Sequence, residues 1–77
     1  MPRLKMPSAQ QAIFDELDDY LNGARMINSA QLARFWGRDV RSVRAWLAEK
    51  DLNRVRMGNM YSYSIRDISR EMYLDAR

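Results

Sequence analysis

The stretch from Ile27 to Leu47, INSAQLARFWGRDVRSVRAWL, constrains this chain more than any other. It divides at Gly37 into two helical patterns with separate start signals, and the residues between them, Gly37, Arg38 and Asp39, leave room only for a tight corner. In the first half, Asn28 is placed to cap a helix with Gln31 completing a capping box, and Leu32, Phe35 and Trp36 fall on one side at helical spacing. Gly37 then closes that helix, because glycine tolerates the left-handed backbone of a helix end. In the second half Asp39 is the expected cap, and Val43, Trp46 and Leu47 form the inward stripe. Two helices joined this way make a helix-turn-helix.

The outward side of the second helix carries Arg41, Ala45 and Ala48, flanked by Ser42 and Arg44. Arginines set among small residues let a helix come close to a groove and still reach base edges and phosphates. Leu32, Trp36, Val43, Trp46 and Leu47 are read as core and say nothing of function. A single arginine on a solvated face only keeps a protein in solution. What points to DNA is that these arginines lie on the second helix of such a corner.

Seventy-seven residues allow one domain with a small core, spanning 1–77. No disulfide or cysteine cluster supplements that core, since the sequence has no cysteine, which suits a reducing cytoplasm. Histidine is absent too, so the usual zinc ligands and the commonest general base are both missing. Without a constellation of acid, base or nucleophile, the chain does not read as an enzyme, and no cofactor is expected. No apolar run approaches the length of a membrane span, and Met1 to Pro7 is basic without a following apolar segment; the expectation is a soluble cytoplasmic protein.

The net charge of +3 hides an uneven distribution. From Asn28 to Arg66 there are eight basic residues against three acidic ones, while the segments on either side are each slightly acidic. Positive charge is thus concentrated where the nucleic-acid reader is expected. Seven of those eight are arginine, the side chain suited to forked contacts with guanine and phosphate.

Ahead of the corner, a helix is predicted over 8–22, with Ser8 and Gln11 as a capping box and Gly23 past its end. Ile13, Phe14, Leu17, Tyr20 and Leu21 give its apolar stripe, and Asp15, Glu16, Asp18 and Asp19 a solvated acidic face that DNA would repel. After the corner, which covers 28–50, Val55 to Met57 and Tyr61 to Tyr63 read as two short strands, a wing over 54–63. A two-residue Gly58-Asn59 turn would pair Val55 with Ser62 and set both tyrosines beside arginines. The binary pattern favours a three-residue loop instead, with Val55, Met57, Tyr61 and Tyr63 inside and Arg54, Arg56 and Ser62 outside. A last helix over 64–76 starts at Ser64 with Asp67 completing a capping box, and Ile65, Ile68 and Met72 face inward. Tyr73 and Leu74 fall off that stripe.

The run QLARFWGRDVRSVRAWL, followed by a hairpin and a helix opening with SIRD, resembles the winged helix-turn-helix shared by phage and conjugative-transposon excisionases. It is also similar to the broader MerR-like group and to the DNA-binding end of phage terminase small subunits. The resemblance covers Ile27 to Met72. It implies a fold that is mainly α with a small β-hairpin, a winged helix-turn-helix carrying an additional N-terminal helix. It also implies that the second helix enters the major groove, through Arg41, Ser42 and Arg44 with Arg38 and Ala45 beside them, while Arg54, Arg56 and Asn59 of the wing contact flanking backbone. The stand-alone excisionase is nearest in size, because the other two groups add effector or oligomerisation regions. The function implied is an accessory factor that binds double-stranded DNA, bends it and directs an integrase towards excision. An integrase or a second copy would dock through the first helix or Tyr73 and Leu74. A small phage or mobile-element transcriptional regulator would carry the same surface, and a protein-interaction module without DNA binding is the rival from another class.

Overall fold

The structure is a computed structural model and describes residues 6–76; Arg3, Lys5 and Arg77 of the charge tally lie outside them. Among the described residues the chain forms four helices and a three-stranded antiparallel sheet. In order these are α1 (Ser8–Tyr20), β1 (Met26–Asn28), α2 (Ser29–Trp36), α3 (Val40–Lys50), β2 (Arg54–Met57), β3 (Met60–Ser64) and α4 (Ile65–Asp75). No described helix is long and apolar enough to cross a membrane.

The corner forms as its caps dictate. Gln31 N–H donates to Asn28 Oδ1 at 2.8 Å while Asn28 N–H donates to Gln31 Oε1 at 3.0 Å, the reciprocal pair of a capping box. Gly37, at φ 71, takes the left-handed conformation that ends α2. Asp39 Oδ2 then accepts from Arg41 N–H at 3.1 Å and starts α3.

The other two expected capping boxes do not form. At α1 the flanking residue is Pro7, whose side chain has nothing to offer; its carbonyl accepts from Gln11 N–H at 2.9 Å, and the Gln11 amide turns forward to Asp15 Oδ1 at 2.8 Å. The helix ends at Tyr20, short of Asn22, which with Gly23 takes positive φ in the turn that follows. At α4 the Ser64 hydroxyl accepts from Arg66 N–H at 3.2 Å, and Asp67 is drawn to Arg70 at 3.3 Å instead of reaching back.

Two features of the sheet differ from expectation. Met26–Asn28, read from the sequence only as the approach to a helix, is a strand that pairs with β3 in the register Met26↔Ser64, Ile27↔Tyr63 and Asn28↔Ser62. The strand order is therefore β1-β3-β2, and the wing is part of a sheet. The hairpin itself closes through the two residues Gly58 and Asn59, pairing Arg54↔Tyr63, Val55↔Ser62, Arg56↔Tyr61 and Met57↔Met60. The expected three-residue loop is thus wrong, and so are the placing of Val55, Met57 and Tyr61 inside and of Ser62 outside: the first three are exposed and Ser62 is buried. Gly58, at φ 65, sits in the first central position, where a type II′ turn needs a glycine, and this turn chemistry overrides the binary pattern. Since residues opposite one another share a face, Arg54 and Arg56 lie on the side of Ile27, Tyr61 and Tyr63, while Val55, Met57 and Met60 lie on the other with Met26.

Every helix and the two strands β1 and β3 contribute to one core built on Leu17, Ile27, Leu32, Val43, Leu47, Tyr63, Ile65 and Ile68. Each fully buried aliphatic side chain stabilises the fold by about 1.5–3 kcal/mol relative to exposure. Helix α1 packs along α4, and α3 is held by α2. Trp36 and Trp46, expected inside, are half-buried and meet edge to face at 4.9 Å on the rim of that core.

Candidate nucleic-acid interface

Val43 and Leu47 anchor α3 in the core, so the helical repeat turns Arg41, Ser42, Arg44, Ala45 and Ala48 to solvent, and all five are exposed. The small side chains Ser42, Ala45 and Ala48 leave the helix backbone approachable between the arginines. Arg38, exposed in the corner ahead of α3, sits over the Trp36 ring with its guanidinium carbon 4.1 Å from the ring centre. The stack holds the guanidinium by cation–π attraction and leaves its N–H edge free.

On the hairpin, Arg54, Arg56 and Asn59 are exposed as expected, with a different aim. Arg54 lies over the Tyr61 ring at 4.1 Å, and Arg56 Nε donates to the Gly58 carbonyl at 3.2 Å. Arg54 therefore points along the side of the sheet that faces α3. Together with Arg44, Ala48, Leu52, Asn59 and Tyr61 it lines a groove of about 470 Å³ between helix and hairpin, with Asp51 at its edge. Of the residues singled out on the two elements, Arg44 from the helix and Arg54 and Asn59 from the hairpin thus border one concavity, whereas Arg38, Arg41, Ser42, Ala45 and Arg56 lie outside it. Ser29 and Leu52 border it too, and neither carried a sequence signal, because only the chain's return through β1 and the end of α3 brings them there.

No described carboxylate lies within ion-pair distance of Arg38, Arg41, Arg44, Arg54 or Arg56. The acidic face of α1 turns elsewhere. Asp18 faces Arg25 Nε at 3.3 Å, an ion pair whose geometry is not that of a hydrogen bond, so the buried Oδ1 of Asp18 has no hydrogen-bond donor. The arginines of α3 are not neutralised by these aspartates.

A second polar cluster at the far end of α3 was not legible in the sequence. Asp75, at the end of α4, accepts from Trp46 Nε1 and from Lys50 Nζ, the latter at 2.7 Å, and Lys50 also lies 5.6 Å from the Trp46 ring centre. The hydrogen bond from Lys50, then that from Trp46, holds the Asp75 carboxyl below its ordinary range, and the same contact with Asp75 raises the Lys50 ammonium above its own. These groups clamp α3 to α4 and leave the opposite side of α3 free.

Comparison of the chain with family models, with curated proteins and with solved structures gives no match.

Proposed function

We propose that this chain is a winged helix-turn-helix domain that binds double-stranded DNA in the cytoplasm. Helix α3 enters the major groove, where Arg41 and Arg44 reach base edges and Ser42 and Ala45 permit close approach; Arg38 takes a phosphate at the corner. Arg54, Arg56 and Asn59 of the hairpin hold the backbone beside it. The observation that carries the proposal is the row of exposed arginines on α3 and the hairpin with no described carboxylate in reach. Such a row repels itself unless a polyanion is present. The element order, with a sheet of order β1-β3-β2 beside the bent helical pair, is compatible with a winged helix and supports the finer reading of the fold.

Within this reading we assign the narrower role of an excisionase-like accessory factor that bends its site and directs an integrase towards excision. The likeness of QLARFWGRDVRSVRAWL to that family supports it. Bending a site of two or three turns costs on the order of 1–6 kcal/mol, which one small domain offsets by binding in several copies or beside an integrase.

Titration with duplex DNA at two salt concentrations tests the first claim. Binding is expected to weaken steeply as salt rises, since each phosphate contact releases counterions. Absence of binding at low salt would overturn the proposal and leave the protein-interaction module. Joint binding with an integrase on a DNA end from an integrated element tests the second. A chain that binds a promoter and ignores the integrase would be a regulator instead.

A further inference from the structure

We propose that Met57 and Met60, the two side chains flanking the hairpin turn, form an apolar wedge that enters the minor groove of duplex DNA and parts one base step; this rests on the DNA-binding reading above. The register pairs them directly across the hairpin, on the face of the sheet turned away from the core. Met57 is 58% exposed and Met60 39%, and Val55 behind them on the same face is 53% exposed. Four of the six exposed large hydrophobic residues among those described lie between Val55 and Tyr61. Exposed apolar side chains gathered on one hairpin, and not scattered singly, mark a surface that a partner covers.

The charge around the tip says what that partner is. From Leu52 to Arg66 there is no acidic residue, and Arg54 and Arg56 stand on the strand that carries Val55 and Met57. A methionine pair on one face of the hairpin, with Arg54 and Arg56 on the other and no acidic residue near the tip, complements a polyanion. The tip is also continuous with the α3 surface, because Met60 and Asn59 line the groove that Arg44 and Arg54 border. A duplex seated on α3 therefore passes the hairpin tip. The two-residue turn adds no bulk beyond Asn59, since Gly58 has no side chain. Methionine is unbranched, flexible and polarisable, and so suits insertion between stacked bases. Unstacking is easiest at pyrimidine–purine steps, so the wedge kinks the duplex there and reads deformability at a place where α3 touches no base.

The test uses duplexes of about 20–30 base pairs, labelled with a donor and an acceptor dye at their ends, one with a central TA step and one with an A-tract in its place. The wild-type chain is expected to raise energy transfer on the TA duplex and to bind it in preference to the A-tract. The double variant Met57→Ser, Met60→Ser should lose both the bend and the preference and keep the salt dependence, because the arginine contacts to phosphate remain. Val55→Ser, on the same face and further from the tip, should keep the bend. Both methionines are open to solvent, so the thermal midpoint of the double variant should match that of the parent.

A double variant that bends DNA as the parent does would overturn the wedge and leave the DNA reading standing. So would a wild-type chain that binds duplex without bending it. A wild-type dimer that the double substitution turns into a monomer, with bending unchanged, would assign the patch to a second copy of the chain. If the wild type binds no duplex at low salt, the DNA reading and the wedge fall together.

Discussion

The cations of this molecule fall into two groups that follow its architecture. Arg25, Lys50 and Arg70 each lie beside a carboxylate, at 3.3, 2.7 and 3.2 Å, whereas the seven arginines between Asn28 and Arg66 have none described at that distance. The paired group sits where α1 and α4 bring their acids: Asp18, Asp67, Glu71 and Asp75. The unpaired group covers α2, the corner, α3 and the hairpin and reaches the start of α4. Exposed ion pairs contribute only about 0–1 kcal/mol, so this sorting is not a stability device. Its effect is a field: apart from Asp39, Glu49 and Asp51 the described acids lie on α1 and α4, and the arginine-bearing side is left attractive to a polyanion over distances of about a Debye length, 8–10 Å.

The largest expected effect concerns the rim where the two groups meet. Trp46→Ala removes the contact with Trp36 and the hydrogen bond to Asp75, and should cost about 3 kcal/mol in denaturant unfolding, the low end for a large aromatic because the ring is half-buried. An unchanged midpoint would show that the clamp does not hold α3. Next comes binding. Arg41→Ala or Arg44→Ala should each lose about 1–3 kcal/mol on the preferred duplex and relax base preference while the melt stays put. Arg70→Ala, from the paired group, should leave affinity as it was, and an equal loss there would dissolve the distinction between the groups.

Arg56→Ala should weaken all sequences alike and lower the slope of log affinity against log salt by about 1. A change in base preference would reverse the division of labour between helix and hairpin. The smallest effect is a pH dependence. The lowered Asp75 carboxyl contributes stability that is present above the ordinary carboxylate range and is lost as pH falls through its lowered value. The raised Lys50 ammonium contributes stability that is present below the ordinary lysine range and is lost only as pH rises through its raised value. Melting midpoints of the wild type and Asp75→Asn should therefore differ by a constant small amount from about pH 5 to 9 and draw together only as pH falls below the ordinary carboxylate range, through the lowered value. A difference that persists in acid would remove Asp75 from the clamp.

The corner was legible because its signals are local: Asn28, Gln31, Gly37 and Asp39 act within four residues of the bonds they make. The exposed arginines of α3 follow from the same periodicity. The failed capping boxes at Ser8 and Ser64 and the turn at Gly58 are local misreadings, whereas the third strand and the clamp at Asp75 depend on partners distant in the chain. Met26–Asn28 is too short to alternate visibly and becomes a strand only through Ser62, Tyr63 and Ser64. That pairing puts Ile27 and Tyr63 on one face, and the short turn at Gly58 then carries Arg54 and Arg56 to the same side, against the pattern of apolar residues. Arg54 recovers apolar contact by lying on Tyr61. The Trp46–Asp75 bond spans 29 residues, and no local pattern announces it.

Asn28 ends β1 and caps α2 at once, so a single residue joins the sheet to the bent helical pair. Helix and hairpin are thereby set on one frame like the two jaws of a caliper, with the Asn28 cap as its screw. Under the proposed reading, a duplex gripped by both would take its curvature from the setting of those jaws. Loosening that screw, as Asn28→Ala would at a cost of about 0.5–2 kcal/mol, trades a fixed gauge for an adjustable one.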